Sequence, residues 1–343
     1  MSAKWMNFLG LTLVVVALGL LGIKNIDRRG DHGQDHLLNV SYDPTREVYA
    51  EINPGFVTKF EKDTGQRIGI EQSHGGSSRQ ARAVAGGLAA DVVTLALPSD
   101  IEELHKLGLV ADGWPSRFPH ASQPYSSTIV FVVRKTNPKH IQDWPDLIAP
   151  GIEVVTPDPK TSGNGKLSVL AAWGAVIQRG GNEADAREFI TKLYRNVTVL
   201  GQGARDATTT FTLGNEGDVQ LTWENEALRE VAEAHGELEV VRPPVSIRAE
   251  PSVALVAANV ARHHSEAAAD AYLSYLFTDE VQEIFARNGY RPVAERILKR
   301  HRDTLPPMEL FPVTLVARDW DDAQAKFFSE NGVFDAIRQA KSK

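Results

Sequence analysis

The sequence predicts an α/β protein of two lobes, and three observations carry that prediction. Short apolar runs of strand length alternate with helical periodicity from Leu37 onward, the pattern of parallel sheets covered by helices. At 343 residues the chain allows two domains of about 150 residues each. Four strand-to-helix junctions, two in each half, carry glycines or capping residues, the local chemistry that leaves backbone N–H groups free to hold an anion.

The elements follow in order. LLNVSY (37–42) reads as a strand, and Val48, Ile52, Phe56 and Phe60 then recur at helical spacing. Ile68 to Glu71 suggests a strand, Arg79 to Leu88 a helix and DVVTLAL (91–97) a buried strand. TIVFVV (128–133) is a strong strand ended by the Asn137-Pro138 turn signal. Ile152–Thr156, Leu167–Gln178, Val197–Leu200 and Asp218–Trp223 continue the alternation. The prolines and strand at 241–256 read as a crossover between lobes, and amphipathic helices follow at 267–277 and 280–289. There is no internal sequence repeat.

Ahead of these elements, residues 1–36 form a unit of their own. Phe8 to Ile23 is an unbroken, mostly apolar run preceded by Lys4 and followed by Lys24, Arg28 and Arg29. It is slightly shorter than a span of about 20 residues and longer than most export-signal cores. With the polar tether behind it, it reads as an export signal or an uncleaved membrane anchor.

Composition narrows the function. Apolar residues are 42% and charged residues 24%, with no cysteine. That excludes disorder, thiol nucleophiles, zinc–thiolate sites, iron–sulfur clusters and a lipidated cysteine. The balance of 37 − 44 = −7 argues against a nucleic-acid partner, and no basic run offsets it.

The four junctions are NVSYDPTRE (39–47), SHGGSSRQ (73–80), PDPKTSGNGK (157–166) and GQGARDAT (201–208). Asp43 suits an N-cap and Pro44 the first helical position. Helix N-termini carry unsatisfied N–H groups and about half a positive charge, so they attract anions. Lys160 and Leu167 stand where a phosphate-binding P-loop needs glycine and Ser or Thr, and neither Gly163-Asn-Gly165 nor Gly201-Gln-Gly203 has the third glycine of a dinucleotide fingerprint. His74 beside Ser77 has no evident acid to orient it, so it reads as loop packing rather than as a catalytic base. The pairs His263-His264 and His32…His36 read as solvated surface. No catalytic residue, metal or cofactor is expected.

NVSYDPTREVY (39–49), QSHGGSSRQARAV (72–84), ADVVTLAL (90–97), PYSSTIVFVVRKTNP (124–138), TPDPKTSGNGK (156–166), LAAWG (170–174), GAR (203–205) and TWENEAL (222–228) resemble the bacterial periplasmic sulfate-binding proteins of sulfate and thiosulfate ABC importers. The likeness runs from Leu37 to the C-terminus. It implies a two-lobed periplasmic-binding-protein fold of type II, each lobe a mainly parallel sheet flanked by helices, with a ligand cleft between them. Residues 37–124 and 248–343 would form one lobe and 125–247 the other, hinged near Pro124–Thr128 and Arg242–Glu250. It further implies a non-enzymatic, exported and monomeric receptor that delivers sulfate or thiosulfate to a membrane permease. Carried over by motif, the donors would be the Asp43 N–H, the Ser77 N–H and hydroxyl, the N–H groups of Gly163, Asn164 and Ala204, and the Trp223 indole. Asn164 departs from the glycine expected there, which would strain a left-handed backbone; Lys166 also lies nearer than an uncharged site suggests.

Donors alone favour sulfate. Sulfate is fully deprotonated at neutral pH, whereas phosphate keeps a proton that a donor-only pocket leaves unpaired, at about 1–3 kcal/mol. Seven donors to a dianion give roughly 10–20 kcal/mol gross. Desolvation and association entropy reduce that toward a micromolar constant, about −8 kcal/mol. Other tetrahedral oxyanions such as molybdate or phosphate, a phosphatase or sulfatase, and a membrane-anchored sensor are the alternatives.

Overall fold

The computed structural model describes residues 35–341; the run read as a signal or anchor lies outside them. Two larger sheets organise the described chain. Along it come β1 (Asp35–Tyr42), α1 (Arg46–Thr64), β2 (Ile68–Gly75), α2 (Ser77–Ala85), β3 (Val92–Leu95) and α3 (Pro98–Lys106). Next are β4 (Ile129–Arg134), β5 (Val154–Pro157), α4 (Gly163–Gln178), α5 (Glu183–Asn196), β6 (Val197–Gly201), α6 (Ala204–Thr212), β7 (Val219–Trp223), α7 (Glu224–Glu233) and β8 (Leu238–Val241). The strand β9 (Ser252–Leu255) then returns to the first sheet.

The first sheet runs β9-β3-β1-β2 and the second β6-β5-β7-β4-β8. Strands β1 and β3 pair in parallel, as β5 does with both β6 and β7. One antiparallel strand enters each sheet: β9 against β3, and β4 against β7 and β8. These are the strands reached by the two crossings between the sheets, so the mixed pairing follows from a chain that leaves and comes back. In the first sheet β1 lies between β2 and β3, and in the second β5 lies between β6 and β7.

Burial on both faces makes the strands legible in the sequence. In β4, Ile129, Phe131 and Val133 pack on one face while Val130 and Val132 pack on the other. A strand covered on both sides reads as a continuous apolar run. The two crossings lie side by side: the amides and carbonyls of Ser127 and Ala249 bond reciprocally at 3.2 and 2.9 Å, and the Thr128 hydroxyl donates to the Ile247 carbonyl at 2.7 Å.

The C-terminal stretch departs from the grouping of 248–343 with the first lobe. Phe327 packs edge-on against Trp173 of α4, ring centroids 4.9 Å apart, and Phe334 against Tyr194 of α5 at 5.0 Å. Phe311, Val313 and Trp320 join the same core. Chain order could not foresee this, because the apolar faces of α4 and α5 are what these aromatics cover.

Candidate functional site

The site is built where the parallel strands end. The C-terminal ends of β1, β2, β5 and β6 feed the four junctions singled out above, and β7 ends at Trp223, the place where open α/β sheets bind ligands. The four mouths touch one another. A Cβ added to Gly163 would lie 2.6 Å from Ala96 Cβ and 3.5 Å from Ser77 Cβ. One added to Gly76 would run into the Thr161 carbonyl and approach that of Gln202 within 3.1 Å. One added to Gly203 would run into the Asp43 carboxylate and stand 3.7 Å from the Gly76 nitrogen. Loops of the first sheet therefore meet loops of the second with only glycine's profile to spare.

No N-cap side chain closes these mouths. Tyr42 before the Asp43–Thr45 turn, Gly76 before α2, Ser162 before α4 and Gly203 before α6 each make no side-chain capping bond. Uncapped starts occur elsewhere too, α1, α3 and α7 among them, whereas Asn182 accepts from Ala184 and Asp185 N–H groups ahead of α5 and Asp143 caps the turn at 144–148. Yet Ser77, Gly163, Asn164 and Ala204 are buried, and a buried, uncapped helix start leaves donors for a ligand. Trp223 completes the set. It is fully buried, its indole N–H has no hydrogen-bond partner, and its ring lies 5.3 Å from that of Tyr42, the residue before Asp43.

Three details differ from the sequence reading. Asp43 is not the N-cap; it is the first residue of a 3-10 turn, Asp43–Thr45, that precedes α1. Its carboxylate lies beside Gly203 instead of capping. Burial raises its pKa against the pull of Arg46, Arg205 and Arg79. The Ser77 hydroxyl is committed: it donates to Asp100 Oδ2 at 2.5 Å and accepts from the Ala96 N–H at 2.9 Å. Asn164 sits in the first turn of α4 with no positive φ, so the strain expected of a residue replacing glycine is absent. Its side chain turns inward, donating to the Leu221 carbonyl at 3.4 Å and accepting from Ser168 at 3.2 Å.

Two residues were missed. Asp100 of α3 is fully buried and also takes the Ser78 hydroxyl at 2.9 Å and Lys166 Nζ at 3.1 Å. That pairing neutralises the lysine beside the site. Ser162 is buried ahead of α4 and its hydroxyl does not cap that helix; serine directly before Gly163-Asn-Gly165 was the available signal. Two arginines nearby are likewise paired. Arg205 forks onto Glu47 at 3.1 and 2.9 Å, and Arg229 reaches Glu47 at 2.8 Å and Glu226 at 3.4 Å. Burial pushes Glu47 up, but Arg205 and Arg229 more than offset it and hold its carboxyl below the ordinary range.

His74 lies against Gln72 at 2.5 Å and the Tyr42 carbonyl at 3.4 Å. Burial lowers it to about 4, so it is neutral at pH 7 and packs the loop. His263 is not simply solvated: its Nδ1 meets buried Asp91 at 2.8 Å. Among the described residues no cluster of His, Asp or Glu is arranged to hold a metal.

Behind the site, α7 buries three carboxyls, and two of them are shifted upward. Burial raises Glu226 to about 7 against Arg229 and Arg205. Burial also raises Glu230 to about 8, although the Thr208 hydroxyl donates to it at 2.6 Å. The unfolded chain ionises these groups near 4.5, so the folded state holds more protons between there and about 8, and stability falls as pH rises through that window. Glu230→Gln removes its share of that loss. Its urea midpoint, relative to wild type, should be higher at pH about 9 than at about 5.

Comparison with known proteins adds independent findings. A family model described as bacterial extracellular solute-binding protein matches residues 38–291. A sulfate-binding protein of Salmonella typhimurium is 44% identical over 336 residues, 97% of this chain and 98% of its own. A thiosulfate-binding protein of Pseudomonas aeruginosa is 47% identical over 308 residues, 89% and 93% of the two chains. Among solved structures, the sulfate-binding protein SubI of Mycobacterium tuberculosis superposes with a TM-score of 0.79 at 30% identity, covering 86% of this chain and all of that one.

Proposed function

The chain belongs to the periplasmic sulfate- and thiosulfate-binding family of bacterial extracellular solute-binding proteins, and we propose that it captures sulfate between its two sheets and delivers it to the permease of an ABC importer. It works outside the cytoplasm. The observation that carries the proposal is the convergence of three buried, uncapped helix mouths and the uncapped Asp43 turn with the unpartnered Trp223 indole.

Those groups are donors only. The backbone N–H groups of Asp43, Ser77, Gly163, Asn164 and Ala204, with the Trp223 indole, form a donor shell for a dianion that needs no proton acceptor. Ser162 supplies the hydroxyl in place of Ser77, whose proton is already given to Asp100. Because the donors stand on two sheets joined by paired crossings, the anion is satisfied only when both halves close on it. The hinge is the pair 124–128 and 242–250, and the receptor acts as a monomer. Among the described residues no helix is long and apolar enough to cross a membrane; the N-terminal apolar run supplies the export signal or an anchor.

The test is a calorimetric titration of the chain lacking residues 1–34 with sulfate, thiosulfate, molybdate and phosphate. Sulfate or thiosulfate should bind with a roughly micromolar constant and phosphate far more weakly. Phosphate binding tighter than sulfate at neutral pH contradicts a donor-only site, and turnover of sulfate or phosphate esters contradicts a receptor.

The two serines separate cleanly. Ser162→Ala removes a bond to a charged acceptor, and sulfate affinity should fall roughly ten- to hundredfold with stability nearly unchanged. Ser77→Ala keeps its ligand N–H but strips partners from Asp100 and Ala96. It should lose about 1–3 kcal/mol of stability, read by urea unfolding, with little change in affinity. The reverse pattern would return the hydroxyl role to Ser77.

A further inference from the structure

The residue that follows Trp223 is a carboxylate held entirely away from solvent. Glu224 is fully buried and accepts three charge-assisted hydrogen bonds. Arg291 forks onto it, Nε to Oε2 at 2.7 Å and Nη2 to Oε1 at 3.0 Å. Arg242 Nε donates to Oε1, also at 3.0 Å. Bidentate pairing of this kind compensates a buried carboxylate best.

The two arginines come from different parts of the chain. Arg242 opens the return crossing, and its Nη2 donates to the Thr304 carbonyl at 3.0 Å. Arg291 belongs to the short strand Arg291–Pro292, which pairs with Tyr125–Ser126 of the outgoing crossing. The backbone repeats the connection. The Glu224 N–H donates to the Thr128 carbonyl at 3.0 Å, and the Ser127 hydroxyl donates to Asn225 Oδ1 at 3.1 Å. The peptide that carries the Trp223 indole is thereby fastened to both crossings.

Charge and position predict opposite effects here. Two guanidinium groups and one carboxylate leave a net positive charge behind Trp223. If Glu224 influenced the anion only through charge, losing the carboxylate would tighten binding. If Glu224 holds the indole in place, losing it would weaken binding.

We propose that Glu224 is a positioning residue: it fixes the Trp223 indole at the anion site and links that donor to the two crossings, so that closure brings the indole onto the ligand. The inference rests on the reading of Trp223 as a sulfate donor. The full chain serves as its own test, in a cycle of Glu224→Gln, Trp223→Phe and the double variant titrated with sulfate. Glu224→Gln should weaken sulfate about tenfold in the wild-type background and less than about twofold when Trp223 is already Phe, because residues acting through one contact are not additive.

Equal losses in both backgrounds overturn the proposal, and so does a gain in affinity. Wild-type affinity in Trp223→Phe alone overturns the donor reading and this proposal with it. Should Glu224→Gln fail to fold, Arg242→Gln, which leaves the Arg291 fork intact, takes its place in the cycle with the same sign expected and the same result decisive.

Discussion

Gly76→Ala should cost this protein at least about a hundredfold in sulfate affinity while leaving it folded. The backbone at Gly76 is extended, φ −60 and ψ 131, a conformation alanine adopts without strain. The atoms a methyl there meets first are the Thr161 and Gln202 carbonyls, which belong to the loops of the other sheet. The clash with these carbonyls arises when the two halves meet. Without sulfate the variant should melt within about 2–4 °C of wild type. With sulfate it should gain little of the wild-type rise in melting temperature. A variant with wild-type affinity would mean that the contact between these loops is not needed to hold the anion.

Trp223→Phe should have the next largest effect. The indole N–H is a donor without an acceptor role, buried and unpartnered, so phenylalanine keeps most of the packing against Tyr42 and removes the one polar function. A hydrogen bond to a charged acceptor is worth about 1.5–3 kcal/mol, which predicts a ten- to hundredfold weaker constant. The variant should be no less stable without ligand, because an unsatisfied buried donor has been replaced by an apolar edge. Isothermal titration and urea unfolding together check both halves of that expectation.

The two predictions share a cause that the net charge of −7 conceals. Lys166 is paired with Asp100 and Arg205 with Glu47, so these two cations near the mouths are balanced locally. The charge on the ligand is met by oriented N–H groups, and surface acidity is screened over about 8–10 Å in salt.

Much of this was legible in the chain, for physical reasons. The strands stand out because both their faces are buried, as in 129–133. The mouths stand out because glycine and serine are what close backbone approach requires. What could not be read was hidden by buried charge. The helix α7 (224–233) buries Glu224, Glu226 and Glu230, so its inward face carries carboxylates where an apolar period would mark a helix. α3 buries Ser99 and Asp100 beside only two aliphatic side chains, and its role at the site went unseen for the same reason. The start of α4 was placed at Leu167, four residues late, since Gly163-Asn-Gly165 opposes helix by propensity. The Lys166 N–H to Ser162 carbonyl bond at 3.1 Å nonetheless closes that first turn. The capping role given to Asp43 failed because a 3-10 turn intervenes before α1.

The central claim is that backbone and indole N–H groups hold the anion, without a charged side chain. An amide-proton NMR titration with sulfate tests it most directly. The amide signals of Asp43, Ser77, Gly163, Asn164 and Ala204, and the indole signal of Trp223, should move downfield together and saturate at the calorimetric constant. If these signals stay in place while arginine or lysine side-chain protons respond, the anion is held by cations and the account is wrong.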